Sequence, residues 1–288
     1  MARLGEQVRE ATRVLAAAGV PSPEHDAREL AAHVLGAPRY PVLDPDDVPV
    51  GFDDDYARAV ERRAAREPLQ HIVEYAVFRR VRLAIDPAVF VPRPETEVVA
   101  GVAIDEAARL AADGHAPLVV DLCCGSGAIA ASVYVEVPHA TVVAMDASPD
   151  AVRLTRANFP SGDSREPRVD VGDVVDRTVL SDLDGSVDIV VSNPPYIPPD
   201  AVPIDPEVRD YDPALALYGG GEDGLDVARA VIAAAARLLR PGGLLVMEHA
   251  DVQGAQTRDV ARTVGDFENI GTRQDLTGRD RMLVARRR

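Results

Sequence analysis

Four consecutive residues, Asn193-Pro194-Pro195-Tyr196, close the apolar run Val187–Ser192, and their types point to a particular chemistry. Proline lacks a backbone N–H, so the chain around Pro194 and Pro195 offers carbonyl acceptors in a stiff, preset conformation. The Asn193 side-chain oxygen beside such a carbonyl makes a pair of acceptors, matched to the two N–H bonds of a planar amino group, either a carboxamide or an exocyclic base amine. Such a nitrogen is a weak nucleophile because its lone pair is delocalised. Holding both hydrogens while aiming the nitrogen at an electrophilic methyl recovers rate through orientation, and through stabilisation of the positive charge that develops. Tyr196 supplies a flat wall for a planar substrate. No general base stands out, and none is needed until the N–H has become acidic. A strand-ending turn accounts for Asn-Pro alone, but hardly for all four residues behind the upstream features described next.

The stretch "VVDLCCGSGAIA" puts Gly125 and Gly127 between an apolar strand and a helical segment. Small residues there let the backbone approach a ligand, and the helix N-terminus adds a positive end. Asp146 ends the next apolar run, 21 residues beyond Gly125, where a carboxylate accepts hydrogen bonds from both hydroxyls of a ribose. Asp173, in "VGDV" after the third strand, is placed to reach an adenine amino group, although a lone Gly-Asp is often only a turn. Gly125-Ser126-Gly127-Ala-Ile-Ala130 also fits a relaxed dinucleotide fingerprint, so a nicotinamide enzyme is an alternative on these features alone.

The elements that must position these residues follow from periodicity. Strands are expected at Leu118–Leu122, Thr141–Asp146, Arg168–Val171, Val187–Ser192 and 243–248, with helices near 128–136, 148–158 and 224–239. Alternation of helices with continuous apolar strands implies a parallel sheet covered on both faces. Residues 268–273 and 281–286 read as a closing antiparallel pair joined by a Gly-containing turn. The fold class is therefore α/β, a doubly wound, mostly parallel, seven-stranded Rossmann-like sheet. In it the 187–192 strand lies beside the glycine-loop strand, at the switch point where ligands bind. Residues 4–66 show helical spacing broken by Pro21, Pro38 and Pro41, with Ser22 as an N-cap before Pro23 and Asp53-Asp54-Asp55 as a helix start. Three regions are expected: a helical substrate-recognition domain at 1–75, an extended or hairpin connector with a turn at Asp86-Pro87 at 76–91, and a catalytic domain at 92–288. A long helix runs from Pro94 to Ala112.

Composition narrows the class. The chain has 288 residues, 47% of them hydrophobic, enough for a packed core. Its formal charge is −16 and it contains no lysine, all 31 basic residues being arginine. This balance disfavours attraction to phosphate backbones, and aromatic residues are only 4% with no tryptophan, which argues against base stacking. The two cysteines are adjacent, at Cys123 and Cys124, unsuited to a disulfide framework or a metal site. No signal-peptide pattern or membrane-length apolar run occurs, so a cytoplasmic protein is expected, with no membrane partner and no direct nucleic-acid binding.

With these motifs in hand, the sequence resembles the S-adenosylmethionine-dependent methyltransferases and, within them, the HemK/PrmC-type release factor glutamine N5-methyltransferases. The likeness runs through "REPLQHI", "VFVPRPETEVV", "DLCCGSGAIA", "SNPPYIP", "RDYDPALALYGGGEDGLDV" and "LLRPGG". It implies that the N-terminal domain helps bind a class I peptide chain release factor, and that the catalytic domain methylates the glutamine side-chain amide of its Gly-Gly-Gln loop. Carried over by motif position, Cys123, Cys124, Gly125, Ser126, Gly127 and Asp146 bind S-adenosylmethionine. Asp173 and Val174 flank its adenine, and Asn193, Pro194, Pro195 and Tyr196 hold the glutamine, with Asn193 also near the cofactor. Phe90, Arg93, Glu95 and residues 209–213 shape the pocket. Two positions depart from the family pattern, Cys123 and Glu74, each standing where the family commonly has Gly. Methylation of adenine or cytosine amino groups shares the Asn-Pro-Pro-Tyr motif and is the competing enzyme reading; a cofactor-binding module without chemistry is a third.

Overall fold

The computed structural model describes residues 4–42, 48–160 and 165–288, which divide into two compact units. The first takes the chain up to Tyr75 together with Pro203–Tyr211; the second takes Ala76–Val202 and Asp212–Arg288.

The first unit is helical: α1 (Leu4–Ala17), α2 (Pro23–Val34), α3 (Phe52–Ala64) and α4 (Leu69–Val73). Leu4, Val8, Ala11 and Leu15 recur on one face of α1 and pack with Leu30, Phe52, Tyr56 and Ile72. Phe52 stacks on Tyr56, whose hydroxyl donates to the Ala27 carbonyl at 2.9 Å. The Asp53-Asp54-Asp55 run does lie in the first turn of a helix, as expected. Ser22 precedes α2 without capping it through its side chain, and Pro23 alone marks the start. A buried guanidinium, Arg63, donates to Asp26 at 2.7 Å and to Glu207 at 2.9 Å. Arg66 grips the same Glu207 carboxylate through both oxygens, at 2.7 and 2.6 Å. Glu207 comes from the 203–211 segment, which is remote in sequence yet belongs to this unit.

The second unit opens within the hairpin of β1 (Tyr75–Phe78), whose first residue still belongs to the first unit, and β2 (Val81–Ala84), followed by α5 (Thr96–Ala112). The hairpin reverses at Arg79-Arg80 and not at Asp86-Pro87. Arg79 takes a left-handed φ of 51°, and its guanidinium is clamped by Glu136 at 2.7 and 2.9 Å. Asp86 does form a turn, its Oδ1 accepting from the Ala88 amide, but beyond β2.

The main sheet comprises β3 (Leu118–Leu122), β4 (Thr141–Asp146), β5 (Arg168–Val171), β6 (Val187–Ser192), β7 (Leu239–Glu248), β8 (Phe267–Gln274) and β9 (Asp280–Arg287), in the order β5-β4-β3-β6-β7-β9-β8. All neighbours are parallel except β9, which is antiparallel to both β7 and β8. The apolar strands are continuous because alternate residues serve two cores. Val119, Ile189, Val191 and Val246 pack on one face with α5 and with α6 (Ala128–Glu136). Val120, Val190, Leu245 and Met247 pack on the other with α10 (Asp226–Leu238). The remaining helices are α7 (Pro149–Asn158), α8 (Pro206–Tyr211, within the first unit), α9 (Ala214–Leu217) and α11 (Gly254–Val264). The strand order reverses between β3 and β6. There Leu122 and Ser192 are in register, and the Ser192 hydroxyl donates to the Leu122 carbonyl at 2.7 Å. The loops that follow these two strands therefore start side by side.

Candidate active site

After β3 the backbone makes a chain of left-handed residues: Cys123 at φ 59°, Gly125 at 56° and Gly127 at 79°, with α6 starting immediately after. The two glycines differ in purpose. A Cβ on Gly127 would lie 2.8 Å from the Thr155 methyl, so this glycine lets the loop close onto α7. A Cβ on Gly125 would meet nothing within 4 Å, so this one leaves open space before the backbone, as a bound ligand requires. Ser126 is buried and its carbonyl accepts from Asn158 at 2.9 Å, which ties the loop to α7 again.

Asp146, at the end of β4, accepts from the Gly125 amide at 2.8 Å and the Ser148 amide at 2.9 Å. Burial raises its carboxyl while the amide bonds oppose the rise. Asp121 is more extreme: burial, with the Asp146 charge adding, pushes it up to about 8. One of its oxygens accepts from the Ala130 amide at 3.0 Å, and the other has no partner among the described residues. The Asp146 carboxylate behind an open glycine loop suits a ligand that carries hydroxyl donors. Burial pushes both cysteine thiols up, away from the reactive thiolate form, and Cys124 lies 3.4 Å from the Thr155 hydroxyl. Asp173 is exposed and one oxygen accepts from the Val175 amide at 3.0 Å, while Val174 is buried with Val143 and Met145.

At the end of β6, Asn193 is half-buried and its Nδ2 donates to the Thr96 hydroxyl at 3.2 Å. The Asn193 Oδ1 and the Pro194 carbonyl accept no hydrogen bond from any described residue. Tyr196 turns its hydroxyl inward, 3.4 Å from Glu248 Oε1, and burial pushes its pKa up, so the hydroxyl stays protonated. The backbone here is braced from outside. Ile197 donates to the Leu217 carbonyl at 2.9 Å, and the Gly219 amide donates to the Ile197 carbonyl at 3.1 Å. Gln253 donates to the Tyr196 carbonyl at 2.9 Å and the Asp223 carbonyl at 3.1 Å. A Cβ on Gly219 would fall 2.6 Å from the Pro195 carbonyl oxygen, and one on Gly224 2.5 Å from that of Tyr196. The glycine-rich 219–224 run thus exists so that two backbones can touch.

Phe90, Arg93 and Glu95 precede α5. The Arg93 guanidinium lies over the Phe90 ring, 4.9 Å from its centroid, and donates to the buried Asp212 at 2.5 Å. Glu95 is close enough to Glu248 for its charge to raise the latter's carboxyl. Thr96, Glu248, Gln253, Gly219 and Gly224 carry contacts that sequence reasoning did not assign. The first and the glycines lay inside quoted motif runs, but a buried threonine and a strand-ending glutamate give no signal by type.

The comparisons with known proteins agree with this architecture. Residues 6–73 match the PrmC N-terminal domain and residues 98–203 the methyltransferase small domain. A release factor glutamine methyltransferase of Streptomyces coelicolor is 48% identical over 98% of this chain and 97% of its own length. The chain belongs to the release factor glutamine methyltransferases. Another member, from Mycolicibacterium smegmatis, is 44% identical over 100% of this chain and 99% of its own. Among solved structures, a T. thermophilus 16S rRNA N2 G1207 methyltransferase in complex with AdoMet and guanosine superposes with a TM-score of 0.51. It is 20% identical over 74% of this chain and 50% of that chain, a likeness of fold. Glu74 and Cys123, the two positions where the resemblance leads one to expect Gly, both take a left-handed φ, 63° and 59°, at a cost of about 1 kcal/mol each.

Proposed function

We propose that this chain binds S-adenosylmethionine at the 123–127 loop and Asp146, and transfers its methyl group to the side-chain amide nitrogen of the glutamine in the Gly-Gly-Gln loop of class I peptide chain release factors. When bound, the cofactor supplies an electrophilic methyl on a positively charged sulfur. Gly125, whose Cβ position faces open space, and Asp146, whose carboxylate can accept from a ribose hydroxyl, would hold the cofactor. Asn193 Oδ1 and the Pro194 carbonyl accept the two N–H bonds of the glutamine amide, turning its nitrogen toward the methyl. Transfer would exchange the donor's sulfur–methyl bond for a nitrogen–methyl bond, with the electron pair of the former kept by sulfur. As positive charge grows on nitrogen, both acceptors bind its hydrogens more strongly than in the ground state. One N–H proton then leaves to water.

The observation that carries this reading is the register of Leu122 with Ser192, which starts the glycine loop and Asn193-Pro-Pro-Tyr196 side by side while two acceptors of the latter stay free. An amino-methyltransferase of nucleic acid would use the same acceptors, but a chain with a formal charge of −16 is poorly suited to hold a polyanion. No described helix is long and apolar enough to cross a membrane. A release factor substrate supports a cytoplasmic location, where translation occurs. The test is mass spectrometry of an unmethylated class I release factor incubated with the protein and S-adenosylmethionine. One added methyl on the Gly-Gly-Gln glutamine is expected. Its absence, with cofactor binding confirmed by calorimetry, overturns the substrate assignment.

A further inference from the structure

An asparagine side chain can serve as an acceptor only if its oxygen faces the substrate, and nothing in asparagine itself ensures this. Its terminal torsion is broad, and the two ends of the amide are nearly the same size. Reversed, Asn193 would set an NH2 group against the substrate's NH2 and lose the bond on which its role depends. The polarity must be imposed from behind.

Behind Asn193 stands Thr96, 3% exposed, and behind Thr96 stands Glu248, 2% exposed. Thr96 has a single hydroxyl proton, and it goes to Glu248 Oε2 at 2.8 Å. Its lone pairs are then what Asn193 meets at 3.2 Å, so the end of the amide lying there must be the NH2. The other Glu248 oxygen receives the Tyr196 hydroxyl at 3.4 Å, a second donor converging on the same carboxylate. The bonds run one way, from Asn193 to Thr96 to Glu248, with Tyr196 joining from the far side. Burial lifts the Glu248 carboxyl to about 7, and once ionised above that it accepts at both oxygens and donates at neither.

We propose that Thr96 and Glu248 are positioning residues: together they fix the direction of the Asn193 amide so that Oδ1 faces the substrate nitrogen. This rests on the reading of Asn193 as an acceptor for the glutamine amide. It explains why a threonine opens α5 beneath the catalytic loop and why β7 ends in a buried acid. Neither group touches substrate; each acts through Asn193.

Four variants test the assignment, read by kcat, by KM for an unmethylated release factor, by calorimetric S-adenosylmethionine binding and by thermal unfolding. Thr96→Val keeps the side-chain shape and removes the hydroxyl. It is expected to lower kcat about tenfold or more while cofactor affinity stays within about twofold. Thr96→Ser restores the hydroxyl and should return kcat to within about threefold of the parent. Glu248→Gln, which can turn either end of its amide to Thr96, should fall between them and serves in place of Thr96→Val if that variant unfolds. Asn193→Ala separates the two levels of argument. If Asn193→Ala is impaired while Thr96→Val and Glu248→Gln turn over like the parent, the positioning role is wrong and the acceptor role stands. If Thr96→Ser is as impaired as Thr96→Val, packing and not the hydroxyl is what matters, and the proposal is again overturned. If Asn193→Ala itself is unimpaired, the underlying reading fails.

Discussion

Gly224 offers the sharpest prediction, because two separable costs meet there. Its φ is +74°, and a Cβ would sit 2.5 Å from the Tyr196 carbonyl oxygen, 2.7 Å from the Pro198 nitrogen and 2.8 Å from the Ile197 carbonyl carbon. All three are backbone atoms of the substrate loop, so none can swing aside. The left-handed conformation costs an alanine about 1 kcal/mol, and overpacking against backbone about 1–3 kcal/mol more. Gly224→Ala should therefore destabilise by roughly 2–4 kcal/mol. Gly278 provides the control: its φ is +81° and a Cβ there meets nothing within 4 Å, so Gly278→Ala should cost only about 1 kcal/mol. Urea unfolding of both variants isolates the clash as the difference. Methyl transfer then asks where the clash is relieved. If the Tyr196–Pro198 backbone yields, turnover falls by about 100-fold, the usual effect of moving an acceptor by about 1 Å, while Gly278→Ala stays at the parent rate. Equal stability loss and equal turnover in the two variants would refute the claim that the 219–224 run braces the loop.

Other outcomes follow from the charged groups. Arg63→Ala leaves Asp26 without its guanidinium in a buried site and should cost about 3–5 kcal/mol in urea unfolding, whereas Arg62→Ala removes an exposed pair with Glu67 and should cost under about 1 kcal/mol. Burial lifts Glu248 to about 7, outweighing Arg281, which pulls it down, with Glu95 pushing the same way as burial and Thr96 and Tyr196 donating to it. Below its ordinary range the carboxyl is protonated whether folded or not. Between there and about 7 only the folded state holds the proton, so stability is lost as pH rises through that window, by roughly 3 kcal/mol in total. Unfolding at pH 5 and pH 8 should show Glu248→Gln gaining on the parent at the higher pH; a constant difference would show that the buried carboxyl does not titrate there. Asp146→Ala should weaken S-adenosylmethionine binding about tenfold or more, and an unaltered calorimetric dissociation constant would remove it from the ribose site.

The sheet was readable because its strands are buried on both faces and so stand out as uninterrupted runs, such as "VDIVVS", between helical patterns. Glycine and proline likewise announce the two loops, since each constrains the backbone by itself. What stayed hidden depends on partners far away in sequence. Arg79 turns the hairpin in a left-handed conformation that no propensity favours, held there by Glu136. Ser22 has the residue type of a cap and makes no cap bond. Asp173 and Val174 adjoin each other in the sequence, yet one is exposed and the other lies in the core. Gln253 braces Tyr196 across 57 residues, and Thr96 reaches Glu248 across 152. Such pairings are decided by topology.

The membership of 203–211 in the helical unit bears on how the chain is made. Residues up to Tyr75 are synthesised before the sheet, and both Arg63 and Asp26 are among them. Glu207 follows 141 residues after Arg66, by which time β3, β4, β5 and β6 have all been synthesised. Until then Arg66 lacks the carboxylate it grips and Arg63 has only one of its two. The helical unit, although it precedes the sheet in the chain, is thus among the later parts to be completed, and its last piece arrives directly behind the residues proposed to hold the substrate.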